Sequence, residues 1–287
     1  MDSRLQYVES YQYPHGGMSV INFEDGSNTS IFVEDEIRLG IGVAMDPNIQ
    51  IGSPDKPLKR LVIGDHSRLF AGQILPAEFI CGDYVTIHEG VWCYGREKVV
   101  IGHNSWFGMR CTLDAEGGFK VGNGFGAGQD THLWSHIRHG DTVQGSKYLS
   151  FHPFEAENDV WFVGRCTSAP AHHERWSVAM TESNIIKPMQ ANHVYGGNPA
   201  VDLTDKIGAP YELLEVHEQE ERFKAKVVEF ERMVPNELST NFDDMVSTFD
   251  VENRTYLKQN TELEVAFMRF LLPEAKFVPR DAPEVTG

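Results

Sequence analysis

Cys81-Gly-Asp-Tyr-Val-Thr, Ile87-His-Glu-Gly-Val-Trp, Cys93 and, after a break, Ile101-Gly-His-Asn-Ser-Trp, Phe107-Gly-Met-Arg-Cys-Thr, Leu113 carry an apolar or small residue at every sixth position. The count restarts at Val121-Gly-Asn-Gly-Phe-Gly, Ala127-Gly-Gln-Asp-Thr-His, Leu133, and again at Ala156-Glu-Asn-Asp-Val-Trp, Phe162-Val-Gly-Arg-Cys-Thr, Ser168. A period of six is neither the helical period nor the alternation of a half-buried strand. Self-similarity at a fixed period marks a repeat architecture.

If each hexad is a short strand and a corner, three hexads close one triangular coil. The first residue of each then points inward, and Cys81, Ile87, Ile101, Phe107, Val121, Ala127, Phe162 and Ile186 are the expected interior set. The fifth place should be small or β-branched. Val85, Val91, Ser105, Cys111, Thr131, Val160 and Cys166 comply, and Phe125 is the exception. Stacked coils bury a continuous apolar column and satisfy one another's backbone groups, so stability accumulates repeat by repeat. The register breaks near 94–100 and 114–120, where coils should bulge. This pattern resembles the left-handed parallel β-helix of the hexapeptide-repeat family, which departs from the usual right-handed crossover. The fold class expected is mainly β, that helix with a small C-terminal α+β appendage.

Working outward, residues 1–50 hold short β-like runs and read as an N-terminal β cap. Residues 51–203 form the β-helix, interrupted at 140–155 by an excursion loop, the kind of segment that often carries function. Residues 204–287 change period. Leu213, Val216, Phe223, Val227 and Phe230 share a helical face, and Pro235 should end that helix. A second helix begins at Thr261, whose spacing to Glu264 is that of a capping box.

The chain has 287 residues, with 25 Lys and Arg against 42 Asp and Glu for a net charge of −17. A nucleic-acid partner is not expected of so acidic a chain, whose one short basic cluster is Lys56-Pro-Leu-Lys59-Arg60. No apolar run approaches the roughly 18 residues of a membrane span, and Met1-Asp-Ser-Arg-Leu-Gln lacks a signal peptide's apolar stretch. A cytoplasmic protein is the expectation. Cys81, Cys93, Cys111 and Cys166 form no CxxC pair and read as buried packing residues in a reducing compartment, with no metal expected. Gly122-Asn-Gly-Phe-Gly-Ala-Gly lies within hexads, so corner glycines explain it better than a phosphate loop.

The exit of the repeat region, Ser183, Ile185, Ile186, Lys187, Met189, Asn192, Val194 and Gly197-Asn-Pro-Ala200, is similar to the last coil of hexapeptide-repeat acyltransferases. Asn158-Asp-Val-Trp-Phe-Val-Gly164 resembles their Asp-Val-Trp-Ile-Gly element, with Val163 where the family has its first glycine. By layout, the galactoside, xenobiotic and polysaccharide O-acetyltransferases are the nearest in kind. The resemblance implies an acetyl- or acyl-CoA-dependent O-acyltransferase acting on a sugar, nucleotide sugar or other small hydroxyl compound, with active sites between the subunits of a homotrimer. It implies a general-base histidine shortly before the excursion loop. His136, roughly two dozen residues ahead of Trp161, fits best, with His132 and His139 as substitutes. Imidazole can accept a hydroxyl proton at neutral pH and return it to a thiolate. Asp130 could orient it from a neighbouring position, against the reading of a solvated surface acid. Gly164 matches the position whose backbone N–H faces the thioester oxygen. Lys187, Arg165, Trp161 and Ser183 match coenzyme contacts, while Val201 replaces an expected basic residue.

Two other classes stay open. A zinc γ-type carbonic anhydrase on the same helix needs converging imidazoles, and no two of the twelve histidines stand five apart, as that family's ligands do. A non-catalytic scaffold is the third reading, since fold does not dictate function.

Overall fold

A computed structural model describes residues 5–8, 11–13, 17–23, 27–234 and 241–280. The chain divides into two compact units, Met1–Tyr211 with Val285–Gly287, and Glu212–Glu284.

In the first unit, short parallel strands stack into three faces. One face runs Ala44–Met45, Arg68–Leu69, Thr86–Ile87, Trp106–Phe107, Gly126–Ala127, Trp161–Phe162, Val178–Ala179 and Val194–Gly197. The second runs Gln50–Ile51, Gln73–Leu75, Trp92–Tyr94, Thr112–Asp114, His132–Leu133, Thr167–Ser168 and Asn184–Ile185. The third runs Leu58–Ile63, Glu78–Cys81, Lys98–Ile101, Phe119–Val121, Phe154–Ala156 and His172–His173. A long strand, Asn28–Leu39, pairs in parallel with the first strands of the second and third faces and antiparallel with Gly17–Asn22 and Tyr11–Tyr13. The fold is mainly β, a parallel β-helix as the hexads imply. Among the described residues no helix is long and apolar enough to cross a membrane.

Ile63, Cys81, Ile101, Val121, Ala156 and His173 lie above one another in successive coils, so the turns take 18, 20, 20, 35 and 17 residues. Eighteen is three hexads. The two extra residues in each 20-residue coil widen the corner between the second and third faces, where the hexad register breaks. The 35-residue coil throws out a hairpin from that corner, with His136–Arg138 antiparallel to Leu149–Phe151.

The interior set is buried as expected, from 0 to 2% exposed for Cys81, Ile87, Ile101, Phe107, Val121, Ala127 and Phe162. Ile186 is the correction. It is 52% exposed, and Ile185 takes the inward place at 2%. The preceding 17-residue coil is one short of three hexads, so counting by sixes oversteps by one. Phe125, too large for a fifth place by the hexad rule, is fully buried and packs against Phe107, Phe154 and Phe162 at ring separations of 5.5, 6.2 and 6.0 Å.

The corner between the third and first faces repeats a device that no hexad count reveals. Ile41 N–H donates to Asp65 Oδ1, Asp65 N–H to Asp83 Oδ1, Asp83 N–H to His103 Nδ1, His103 N–H to Asn123 Oδ1 and Asn123 N–H to Asn158 Oδ1, all at 2.8 or 2.9 Å. Beside this ladder His66, Tyr84, Asn104 and Asp159 hold φ of 56 to 60°, a conformation that costs a non-glycine residue roughly 1–2 kcal/mol. The ladder's hydrogen bonds offset that strain. At the corner between the first and second faces glycine is a matter of space: a Cβ on Gly128 would lie 1.8 Å from the Val163 carbonyl oxygen.

The second unit has helices Val216–Glu231, Phe242–Val246 and Glu262–Leu271 and three two-residue strands around an aromatic core. Phe230, Phe267, Phe277 and Tyr256 are buried there, and Phe223 packs against Phe249, Phe267 and Phe277. Leu213 is exposed and precedes the first helix, and Pro235 lies outside the described residues. Thr261 caps its helix, its hydroxyl accepting from Glu264 N–H at 3.2 Å. The buried Glu264 carboxylate accepts from the N–H groups of Gln259 (2.6 Å) and Asn260 (3.1 Å), reaching past the cap residue to the two before it.

Two outcomes test this core. Ile87→Asp puts an unpaired charge into the apolar column and is expected to cost several kcal/mol in chemical denaturation, on the order of 3–5; a loss below about 1 kcal/mol would contradict an inward Ile87. His173 is buried, with Nδ1 accepting from Met189 N–H at 3.3 Å and Nε2 3.1 Å from Ser168 Oγ, and burial pushes its pKa from 6.5 down to about 3. Between those values the unfolded chain binds a proton that the folded one does not. Stability is therefore whole above pH 6.5 and falls by up to about 1.4 kcal/mol per unit as pH drops toward 3. His173→Gln should flatten the pH slope of unfolding by about one proton, and an unchanged slope would refute the assignment.

Candidate active site

Asp114 ends a strand of the second face and is fully buried. Its Oδ2 accepts from the N–H groups of Ser135 (2.9 Å) and His136 (3.1 Å) and lies 2.6 Å from His136 Nδ1, while Oδ1 accepts from Glu116 N–H at 3.0 Å. Four donors on one carboxylate hold the root of the hairpin. The carboxylate also makes Nδ1 the donor, so in the neutral ring Nε2 carries the lone pair, and Nε2 has no partner among the described residues. The His136 side chain is 23% exposed and stacks on Phe151 across the hairpin, with ring centroids 5.9 Å apart. A base held in one tautomer with its acceptor nitrogen at the surface is an arrangement suited to proton transfer.

Asp130, weighed in the sequence as an orienting residue against the reading of a solvated surface acid, takes the surface role. Asp130 makes a two-pronged ion pair with Arg110 at 2.7 and 2.8 Å, at the corner between the first and second faces, and the Arg110 hydrogen bond holds its carboxyl below the usual range. Asp114 was legible only through the coil pitch: Leu113 pairs with Leu133, so Asp114 stands one coil before Trp134 and beside the turn into His136. His132 turns Nδ1 to Thr112 Oγ1 at 2.9 Å. His139 is exposed on the hairpin.

The other candidates fall in two places. Gly164, Arg165 and Ser183 lie at the corner between the first and second faces, just after Trp161. Gly164 is buried, and its carbonyl accepts from Glu182 N–H (3.0 Å) and Thr181 Oγ1 (3.2 Å), while its N–H has no partner among the described residues. Arg165 pairs with Glu182 at 2.8 Å. Ser183 is buried, its hydroxyl accepting from Gly197 N–H at 3.3 Å where the chain leaves the last coil. Trp161 is about half exposed and leans over Gly126, whose Cβ would fall 2.9 Å from its Cδ1. Lys187 is exposed and unpaired among the described residues, past the far edge of the second face, on the same side as His136 but in a later coil. Within one chain, His136 and Gly164 thus stand at opposite edges of the second face. Among the described residues no three His, Cys, Asp or Glu side chains cluster as metal ligands.

No family model and no curated protein matches this chain. Among solved structures it is similar to AntD, an N-acyltransferase from Bacillus cereus in complex with dTDP and 3-hydroxybutyryl-CoA, at 14% identity over 65% of this chain and 89% of that one, with a TM-score of 0.43. It is also similar to a maltose O-acetyltransferase from Clostridium difficile 630, at 18% identity over 48% and 70% with a TM-score of 0.36. A third is the hexapeptide-repeat-containing acetyltransferase VCA0836 from Vibrio cholerae, at 16% identity over 53% and 74% with a TM-score of 0.38.

Asp114→Ala strands three backbone N–H groups in a buried corner and is expected to lower unfolding stability by about 2–5 kcal/mol. Asp130→Ala, removing an exposed ion pair, should cost little. Equal effects of the two substitutions would contradict the placement of Asp114.

Proposed function

We propose that this protein is an acyl-CoA-dependent O-acyltransferase in which His136 is the general base and Asp114 its positioning residue. The observation that carries the reading is the His136–Asp114 pair, with Nε2 free at the root of a hairpin projecting from a β-helix. His136 Nε2 takes the proton from an acceptor hydroxyl as its oxygen bonds to the thioester carbonyl carbon. The oxyanion so formed collapses as the C–S bond breaks, and the imidazolium returns the proton to the departing thiolate. An ester and free coenzyme A result. The Gly164 N–H is the proposed donor to the oxyanion.

The separation of His136 and Gly164 supports an assembly in which one subunit offers its hairpin edge and another its glycine edge, the homotrimer that the family resemblance implies. Both edges expose apolar side chains: Val143, Tyr148 and Leu149 on the hairpin, and Trp106, Met109, Trp161 and Met180 near the glycine corner. Exposed apolar groups gathered this way suit a protein contact. Of the proposed coenzyme contacts, Lys187 is the one whose charge is available, because Arg165 is paired and Ser183 is turned inward. On a chain of net charge −17 that single ammonium is a large part of the local attraction for phosphate. The proposed setting is the cytoplasm, where the four free, buried cysteines stay reduced.

His136→Ala is expected to lower turnover by a factor of about 100 to 10,000 while leaving folding and acetyl-CoA affinity intact. Lys187→Ala should do the reverse, weakening acetyl-CoA binding in a salt-dependent way. Full turnover in His136→Ala would remove the base, and calorimetry showing no acetyl-CoA binding by the wild type would remove the reaction class.

A further inference from the structure

Two breaks in the hexad register, near 94–100 and 114–120, fall in successive coils at the corner from which the hairpin leaves one coil later. Arg96 in the first break reaches Glu116 in the second, Nε to Oε2 at 2.6 Å. Gly117, also in the second break, carries the root of the hairpin, its N–H donating to Ser135 Oγ at 2.8 Å. A Cβ on Gly117 would fall 2.3 Å from the Ser135 carbonyl oxygen and 2.7 Å from that of His152, so both arms of the hairpin pass directly over this corner. The residues that break the repeat are thus the ones on which the hairpin stands.

From Arg96 the contacts return to the base. Its guanidinium carbon lies 5.2 Å from the centroid of the Phe151 ring. Phe151 is the register partner of His136 across the hairpin, and their rings stack with planes 14° apart. His136 Nδ1 meets Asp114 Oδ2, Asp114 Oδ1 accepts from Glu116 N–H, and the Glu116 carboxylate holds Arg96. Asp114, His136, Phe151, Arg96 and Glu116 therefore form a closed ring of contacts that spans two coils and the hairpin.

The links of this ring do different things. A hydrogen bond fixes one edge of an imidazole and leaves it free to tilt about the Nδ1···Oδ2 line. An aromatic face laid nearly parallel to it removes that tilt. Asp114 thus selects the nitrogen that bears the proton, and Phe151 sets the plane in which Nε2 points. Phe151 needs an anchor of its own, because it sits partly exposed on a two-stranded ribbon, an element with little stability alone. The Arg96 guanidinium over its ring supplies one, and Glu116 fixes the guanidinium. Partly exposed ion pairs contribute little to folding. What this one restricts is orientation, and a reacting group displaced by about 1 Å can cost on the order of 100-fold in rate.

We propose that Phe151 and Arg96 are positioning residues for the His136 imidazole: Phe151 fixes the plane of the ring, and Arg96, anchored on Glu116, fixes Phe151. Their effect on turnover rests on the acyl-transfer reading; the fixed imidazole does not.

NMR of the full chain with 15N-labelled histidine, at a pH well above the ordinary imidazole pKa of about 6.5 and without acetyl-CoA, tests the arrangement. The His136 signals are identified by their loss in His136→Ala. Phe151→Leu stays apolar but removes the flat face, Phe151→Tyr keeps the face, and Arg96→Met keeps the stem but removes the guanidinium. Wild type and Phe151→Tyr are expected to show His136 as a single tautomer with the proton on Nδ1. In Phe151→Leu and Arg96→Met about a tenth or more of the rings should carry it on Nε2, because a tilting ring leaves the Asp114 carboxylate. With acetyl-CoA and methyl β-galactoside as the probe acceptor, both variants should lose about tenfold or more in kcat. Both KM values should stay within about threefold, and Phe151→Tyr should restore kcat.

A single Nδ1–H tautomer in both Phe151→Leu and Arg96→Met would overturn the proposal, as would a mixture in Phe151→Tyr equal to that in Phe151→Leu. Should Phe151→Leu lose the hairpin, seen in the amide signals of Ile137 and Ser150, Arg96→Met decides by itself, since it leaves Phe151 in place. Tautomers that shift as expected in a wild type and variants without acetyl transfer would keep the fixed imidazole and overturn the acyl-transfer reading. An active wild type whose kcat ignores both substitutions would overturn the positioning role and keep the reaction.

Discussion

The coil-to-coil hydrogen bond is the constraint on which everything else rests. The strand N–H groups of each coil are satisfied on the carbonyls of the next, as are those that open the corners: Gly82 N–H on Ile101, Gly102 N–H on Val121, Gly122 N–H on Ala156. Once those bonds form, every residue lies over a fixed partner one turn away, and the number of residues in a turn decides which side chains meet. The Phe stack inside, the Asp65–Asp83–His103–Asn123–Asn158 ladder at one corner and the Asp114–His136 pair at another are three consequences of the same stacking.

That constraint also explains what could be read from the sequence. The hexads expose the fold because most inward positions are apolar over many coils, Ser168 and His173 being exceptions, and the expected interior set is buried apart from Ile186. Ile186 fails because the register slips by one in the 17-residue coil, an amount invisible until strand partners are known. Asp114 was missed for a related reason: its tie to His136 crosses 22 residues, and only the pitch of 20, which places Leu113 beneath Leu133, brings them together. Asp130, nearer in sequence, had a better local claim, and Arg110 in the neighbouring coil already holds it. His136 was named through the family resemblance, which expects a histidine shortly before the excursion loop, and it stands at the root of the hairpin.

The electrostatics follow the same logic of place over composition. The chain is strongly acidic, and four of its arginines each reach a carboxylate on a neighbouring strand or coil: Arg60 with Glu36, Arg96 with Glu116, Arg110 with Asp130, Arg165 with Glu182. Such exposed pairs add little stability individually. Lys187 stands outside these pairs, with no partner among the described residues. The proposed coenzyme contact rests on that available charge.

The most direct measurement is a crystal structure of the wild-type protein grown with acetyl-CoA. The account predicts the thioester beside the His136 imidazole, placed so that an acceptor oxygen about 2.6–3.2 Å from Nε2 also reaches the carbonyl carbon, with the Asp114 hydrogen bond to Nδ1 intact. Coenzyme bound away from the hairpin, or a His136 ring turned off Asp114 when the coenzyme is present, would contradict it.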